Sequence, residues 1–130
     1  MLSLFTKIIE GSIPSYKVFE DEHTYAFLTL EAIQLGHTLI VPKVDVDLFT
    51  DVPEPYYSAV FINAKPLAQA IQRATACKRV GTIIAGWDVP HFHYHLVPMW
   101  DPSDLSFGKA RQHSREDNLR MQGAIVERLG

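Results

Sequence analysis

Three of the six histidines fall within five residues, at positions 91, 93 and 95, alternating with Phe92, Tyr94 and Leu96. In an extended segment, side chains two apart point to the same side. The spacing therefore predicts three imidazoles on one surface, with two aromatic rings and a leucine entering the core on the other. A solvated strand face is the ordinary explanation for one exposed polar residue, but not for strict alternation of three histidines. A metal site is a second reading, because His-x-His on a strand can supply two zinc ligands. Geometry limits it: over four extended residues the outer α-carbons stand about 13 Å apart, so one tetrahedral ion cannot gather all three imidazoles. A further ligand would be needed, and His37, ahead of a strand, is the donor in place. The third reading is phosphoryl chemistry, in which one imidazole attacks phosphorus while its neighbours and backbone N–H groups hold the oxygens. Because free histidine titrates at about pH 6.5, a neutral nucleophile and a cationic phosphate ligand can coexist at neutral pH.

The elements that must position these residues follow from patterning. Residues 4–10 predict one or two helical turns ended by Gly11. Segments 16–20 and 24–29 are rich in aromatic and β-branched residues and predict two strands, with 21–24 as the hairpin turn. Residues 38–41 predict a third strand, stopped by Pro42. A long helix is predicted over 54–76, where Tyr57, Val60, Phe61, Ala64, Leu67, Ala68 and Ile71 recur at helical spacing. Pro66 inside it is expected to kink or break a turn by removing the bond to the Ile62 carbonyl. Strands follow at 80–85 and 91–97, separated by a turn at 86–90, the last strand ending at Pro98. Residues 101–112 lack periodicity and predict a loop or arm. Ser114 and Asp117 resemble a capping box, which opens a last helix to Leu129. Met121, Ala124, Ile125, Val126 and Leu129 would dock that helix on its own domain or on a partner. The class is α+β, one domain over 1–100 followed by an arm and helix over 101–130.

Composition bounds what such a chain does. With 130 residues, 47% apolar and 21% charged, it can bury a core without a disulfide or structural metal, which excludes disorder as its main state. A net charge of −3 excludes general affinity for duplex nucleic acid, so a phosphate must be met by a local site. The single cysteine, Cys77, permits neither an internal disulfide nor a cysteine zinc cage and fits a reducing, cytoplasmic setting. Lys7 and Glu10 interrupt the apolar start before a signal-peptide core forms, and no stretch approaches the roughly twenty apolar residues of a membrane span.

The run His91-Phe92-His93-Tyr94-His95-Leu96-Val97 resembles the signature of the histidine-triad, or HIT, superfamily of nucleotide hydrolases and transferases. Phe5 to Ser15, Val18 to Asp21, Ala26 to Leu28 and Gly36 to Lys43 look like its Hint-type branch, so the resemblance covers residues 4–100. It implies a HIT-like fold: a five-stranded antiparallel sheet with one long helix and one short N-terminal helix. It also implies a homodimer that joins two sheets into one of ten strands. It implies that His93 attacks the α-phosphate of a small nucleotide substrate, cleaving a P–N or P–O bond through a nucleotidyl-histidine that water then releases, while His91, His95 and His37 orient it and bind phosphate oxygens. No cofactor is implied.

Departures from the family pattern matter as much. Many bacterial members carry Cys-x-x-Cys and a histidine that form a zinc site; here those positions are Ser3, Thr6 and Asp45, so no metal is expected. Thr29 stands where an acidic residue or Asn holds the ribose hydroxyls, which removes bidentate recognition of the diol. Gly86-Trp87-Asp88-Val89 replaces Gly-Gln-Ser/Thr-Val, whose Gln and hydroxyl would contact the leaving group and scissile phosphate. Asp88 is then either a proton donor to the leaving group or the mark of a weakly active protein with an atypical substrate. Trp87 and Trp100 are candidate walls for a base, with packing as the alternative. The rival to an enzyme is a non-catalytic nucleotide-binding protein that retains the pocket.

Overall fold

The computed structural model describes residues 2–129. Helix α1 spans Leu4–Ile9, and strands β1 (Tyr16–Glu20) and β2 (Thr24–Leu28) form the first hairpin. The hairpin turn is closed by the Asp21 carboxylate, which accepts from the backbone N–H groups of His23 and Thr24 and from the Thr24 hydroxyl. Next come β3 (Glu31–Ala32), β4 (Thr38–Pro42), α2 (Tyr56–Thr75), β5 (Arg79–Ile83), β6 (Tyr94–Met99), β7 (Arg111–Gln112) and α3 (Arg115–Leu129). Five strands form one antiparallel sheet in the order β1-β2-β4-β6-β5, and β3 pairs with β7 in a separate ribbon. No helix among the described residues is long and apolar enough to cross a membrane.

Strand alternation builds two cores. Ala26, Leu28, Ile40 and Leu96 face α2, whose Val60, Leu67, Ala70 and Ile71 are buried against them. Tyr25, Phe27, Leu39 and Val41 face the opposite way and pack against Phe5 and Ile8 of α1. The central strands β2 and β4 are thus covered on both sides, which gives the histidine side of the sheet a rigid floor.

Four expectations change. The histidine run is not strand throughout: β6 starts at Tyr94, because the β4–β6 ladder ends at the Ile40–Tyr94 pair. Ahead of it, Phe92 N–H is taken by the Val46 carbonyl and the His91 ring by the Pro42 carbonyl, so loop and side-chain bonds replace a ladder there. Pro98 does not stop β6, which runs to Met99. Met99 turns its carbonyl toward β5, where Lys78 N–H meets it, so the imide of Pro98 points past the end of β4, where no partner is needed. Likewise β4 includes Pro42. Helix α2 continues through Pro66, which is exposed, as is Ile62 one turn back, so water can take the Ile62 carbonyl that the proline leaves free.

The C-terminal segment is more ordered than its composition suggests. Asp101 and Asp104 cap a short 3₁₀ turn, and β7 clips the segment to β3. The Ser114 hydroxyl accepts from Asp117 N–H at the start of α3. Helix α3 docks on its own chain: Ile125 is buried in the α2 core, and Gln122 donates to the Lys17 carbonyl of β1.

Candidate active site

The four histidines reach one region from three backbone settings. His37 directly precedes β4, His91 and His93 lie in the extended run before β6, and His95 is the second residue of that strand. Phe92 and Leu96 are buried in the core on the far side, with Tyr94 packed against it, as the alternation requires. Three of the rings form a row, with His37 and His95 centroids 5.2 Å apart and His93 and His95 4.9 Å apart, while the His91 ring packs on Phe5 at 5.8 Å. Phe5 of α1 lies edge-on to His93 at 5.0 Å.

Neighbouring donors and acceptors decide where each ring carries its proton. Ile33 N–H donates to His37 Nδ1 at 3.1 Å, which leaves the proton on Nε2, and that N–H donates to His95 Nδ1 at 2.9 Å. His95 is left with Nε2–H as its free donor. His91 Nε2–H donates to the Pro42 carbonyl at 2.9 Å, while its Nδ1 accepts from the Ser3 hydroxyl at 2.6 Å. His93 Nδ1–H donates to the His91 carbonyl at 2.7 Å, so a neutral ring presents the lone pair of Nε2.

That Nε2 is the one buried side-chain polar atom among the described residues without a hydrogen-bond partner. Asp88 Oδ1 stands 3.2 Å from it, close enough for an ion pair but not aligned for a hydrogen bond. The Asp88 side chain is 70% exposed, so its carboxylate stands on the solvent side of that atom. Burial, helped by the other imidazoles, drives His37 down to about 3, and burial also drives His95 down to about 4. Burial lowers His91 too, against the pull of the Pro42 carbonyl and Asp45. These three rings are therefore neutral at neutral pH. A phosphate here meets neutral N–H donors, not the cationic imidazole expected from free histidine.

His93 is only 1% exposed, yet it lines a cavity of about 340 Å³. Phe92 and His93 form its floor, while Leu48, Phe49 and the 95% exposed Trp87 form its mouth. Gly86, at φ +82°, makes the left-handed turn that aims Trp87 outward. A second cleft, about 480 Å³, is lined by Leu4, Ile8, Ile13, Phe27 and Leu30 among others. Phe5 links the two regions, since its ring contacts both Phe27, at 5.5 Å, and His93. Thr29 does not line that cleft, although its chain neighbours Leu28 and Leu30 do, and its N–H donates to the His37 carbonyl.

Residues 10–101 match the HIT domain. The chain belongs to the HIT family. Among its relatives, "Protein hit" of Bacillus subtilis is 32% identical, the match covering 97% of this chain and 93% of that protein. The adenosine 5'-monophosphoramidase HNT1 of Saccharomyces cerevisiae is 36% identical over 89% of this chain and 75% of that one. A Hit-like protein from Bartonella henselae superposes with a TM-score of 0.86 at 22% identity, covering 97% of this chain and 95% of its own, and so shares the fold.

Of the positions where this HIT chain departs from its family, Trp87 and Asp88 are brought to His93, and Thr29 adjoins His37. Trp100 is not brought there within one chain. It lies past the opposite end of β6 from His95, about 16 Å along an extended backbone, in a depression with Lys78 and Arg79.

The zinc positions also meet. Ser3 N–H and the Thr6 hydroxyl both donate to Asp45 Oδ2, at 2.8 and 2.7 Å, and the Ser3 hydroxyl bonds His91. Two of those four side chains are neutral hydroxyls, poor ligands for zinc beside thiolate, imidazole or carboxylate. Among the described residues no cluster of three His, Cys, Asp or Glu is arranged to hold a metal ion. The residues present do not fit zinc; hydrogen bonds link α1 to the triad instead. Phe5, Asp47 and Phe49 escaped the sequence reading. Phe5 offered only its apolar helical spacing with Ile8, and the loop after β4 offered no periodicity at all.

Proposed function

We propose that this chain is a nucleotidyl hydrolase or transferase that cleaves a P–N or P–O bond at the α-phosphate of a nucleotide through a covalent nucleotidyl-histidine on His93. One observation carries the reading: His93 gives its Nδ1–H to the His91 carbonyl and holds Nε2, unpartnered, at the floor of a cavity. Attack by the Nε2 lone pair forms the N–P bond and expels the leaving group, and water then breaks that bond to release the nucleoside monophosphate. As Nε2 bonds phosphorus the ring gains positive charge, which the His91 carbonyl is already placed to stabilise through Nδ1–H. His95 Nε2–H, fixed by His37, supplies a donor for a phosphate oxygen. The apolar cleft lined by Ile8, Ile13, Phe27 and Leu30 suits the base, and Thr29, between two of its lining residues in the chain, is our candidate for the ribose. The named activity of the yeast relative supports a P–N bond as the target. The reading includes a homodimer and a cytoplasmic setting, without metal or cofactor, duplex nucleic acid or a membrane as partner.

Incubation with adenosine 5'-phosphoramidate tests it. Wild type releases AMP and shows a nucleotidyl adduct on His93 by mass spectrometry, whereas His93→Asn keeps the melting temperature and loses turnover. Turnover by His93→Asn at the wild-type rate overturns the reading. A second reading, a nucleotide-binding protein without turnover, is favoured by Asp88 standing against Nε2, where phosphorus would have to sit. AMP binding without product from wild type would establish it.

A further inference from the structure

In-line displacement puts the leaving group on the side of phosphorus away from Nε2. With His93 in the floor, that direction is the mouth of its cavity, walled by Leu48, Phe49 and Trp87. The charged side chain in that lining is Asp47, exposed and without an ion-pair partner among the described residues, and Asp88 stands at the His93 end. Among the described residues, no lysine or arginine lines the cavity. A pyrophosphate or polyphosphate leaving group would therefore meet two carboxylates and no cation. An ammonium group would meet carboxylates and aromatic faces together, the combination that binds organic cations.

We infer that the pocket formed by Asp47, Phe49 and Trp87 is a subsite for positively charged leaving groups, so that the favoured substrates are nucleoside phosphoramidates whose amine carries a second, protonated amino group. The inference rests on His93 being the nucleophile and adds the identity of what it displaces. Expelling an amine also requires a proton. His93 Nε2 bonds phosphorus as the P–N bond breaks, and the amine nitrogen takes a proton from solvent water at the cavity mouth and leaves as a neutral amine at that nitrogen. Water then attacks phosphorus, the N–P bond breaks, and the attacking water gives its proton back to solvent.

Three adenosine 5'-phosphoramidates of equal chain length test the subsite, made from 1,5-diaminopentane, hexylamine and 6-aminohexanoate, whose distal ends are cationic, neutral and anionic. For wild type at low salt, kcat/KM for the cationic amidate should exceed that for the neutral one by about tenfold, the combined size of an exposed ion pair and a cation–π contact, with the anionic amidate slowest. Asp47→Asn should compress that order to within about twofold, and 1 M salt should do the same. Equal rates for all three, or a cationic preference that survives in Asp47→Asn, overturn the inference and leave the nucleophile untouched. If none is turned over, the reading of His93 fails. Binding of the three to His93→Asn by calorimetry then decides the subsite alone: a cationic preference that needs Asp47 upholds it, and equal affinities overturn it.

Discussion

The N–H of His37 can donate to His95 only while the His95 ring is neutral, which ties the site to pH. Both rings sit well below free histidine, at about 3 and about 4, because burial opposes their charged forms. The unfolded chain, with its histidines near pH 6.5, therefore binds more protons than the folded chain between about pH 4 and 6.5. Stability contributed by these rings is complete above that window and falls as pH drops through it, by up to ~1.4 kcal/mol per pH unit for each ring. Urea unfolding at pH 7.5, 6, 5 and 4.5 should show this loss before the carboxylates titrate. A flat profile down to pH 5 would contradict the buried neutral pair. At this scale the sequence was most informative, since the types and spacing of His91, His93 and His95 pointed to the candidate site. What it could not disclose were the atoms that set their protons. The Ile33 N–H and the carbonyls of Pro42 and His91 are backbone groups that every residue possesses, and only the fold selects them.

Among the elements, α1 is the piece whose role reaches furthest. Ser3 caps it by accepting from Thr6 N–H and at the same time donates to His91 Nδ1. Ser3→Ala removes both, so a loss of about 1–3 kcal/mol is expected from the missing cap and the orphaned ring nitrogen, measured by thermal melting. A change under half a degree would show that neither bond matters. Gly36 marks the entry to β4: its φ is +103°, and an added Cβ would stand 3.0 Å from Thr75 Cγ2. Gly36→Ala should cost about 1–3 kcal/mol and displace His37, lowering turnover with stability. The helices and the first hairpin were legible because each repeats its period over several turns or residues. The β3–β7 ribbon was not, since two-residue strands carry no period, and Pro98 misled because its tolerance depends on where β4 ends.

At the scale of the whole molecule, the sheet ends in two edge strands: β1, whose Lys17 carbonyl is taken by Gln122 of α3, and β5. The outer edge of β5, Arg79–Ile83, is unpaired in the single chain and carries no proline or lysine to discourage another strand. Its antiparallel pairing with the same strand of a second copy would give the proposed ten-stranded homodimer. Sedimentation at micromolar concentration should then give twice the 14.7 kDa chain mass, and a single 14.7 kDa species would rule the dimer out.

The bond from Ser3 to His91 joins residues 88 positions apart, so the turn that opens α1 serves as a brace for the triad. Trimming a leading tail is usually harmless to an enzyme. Here a deletion that begins the chain at Phe5 would spare every histidine yet let the His91 ring rotate. Because the His91 carbonyl holds the His93 ring, that slack would pass to His93.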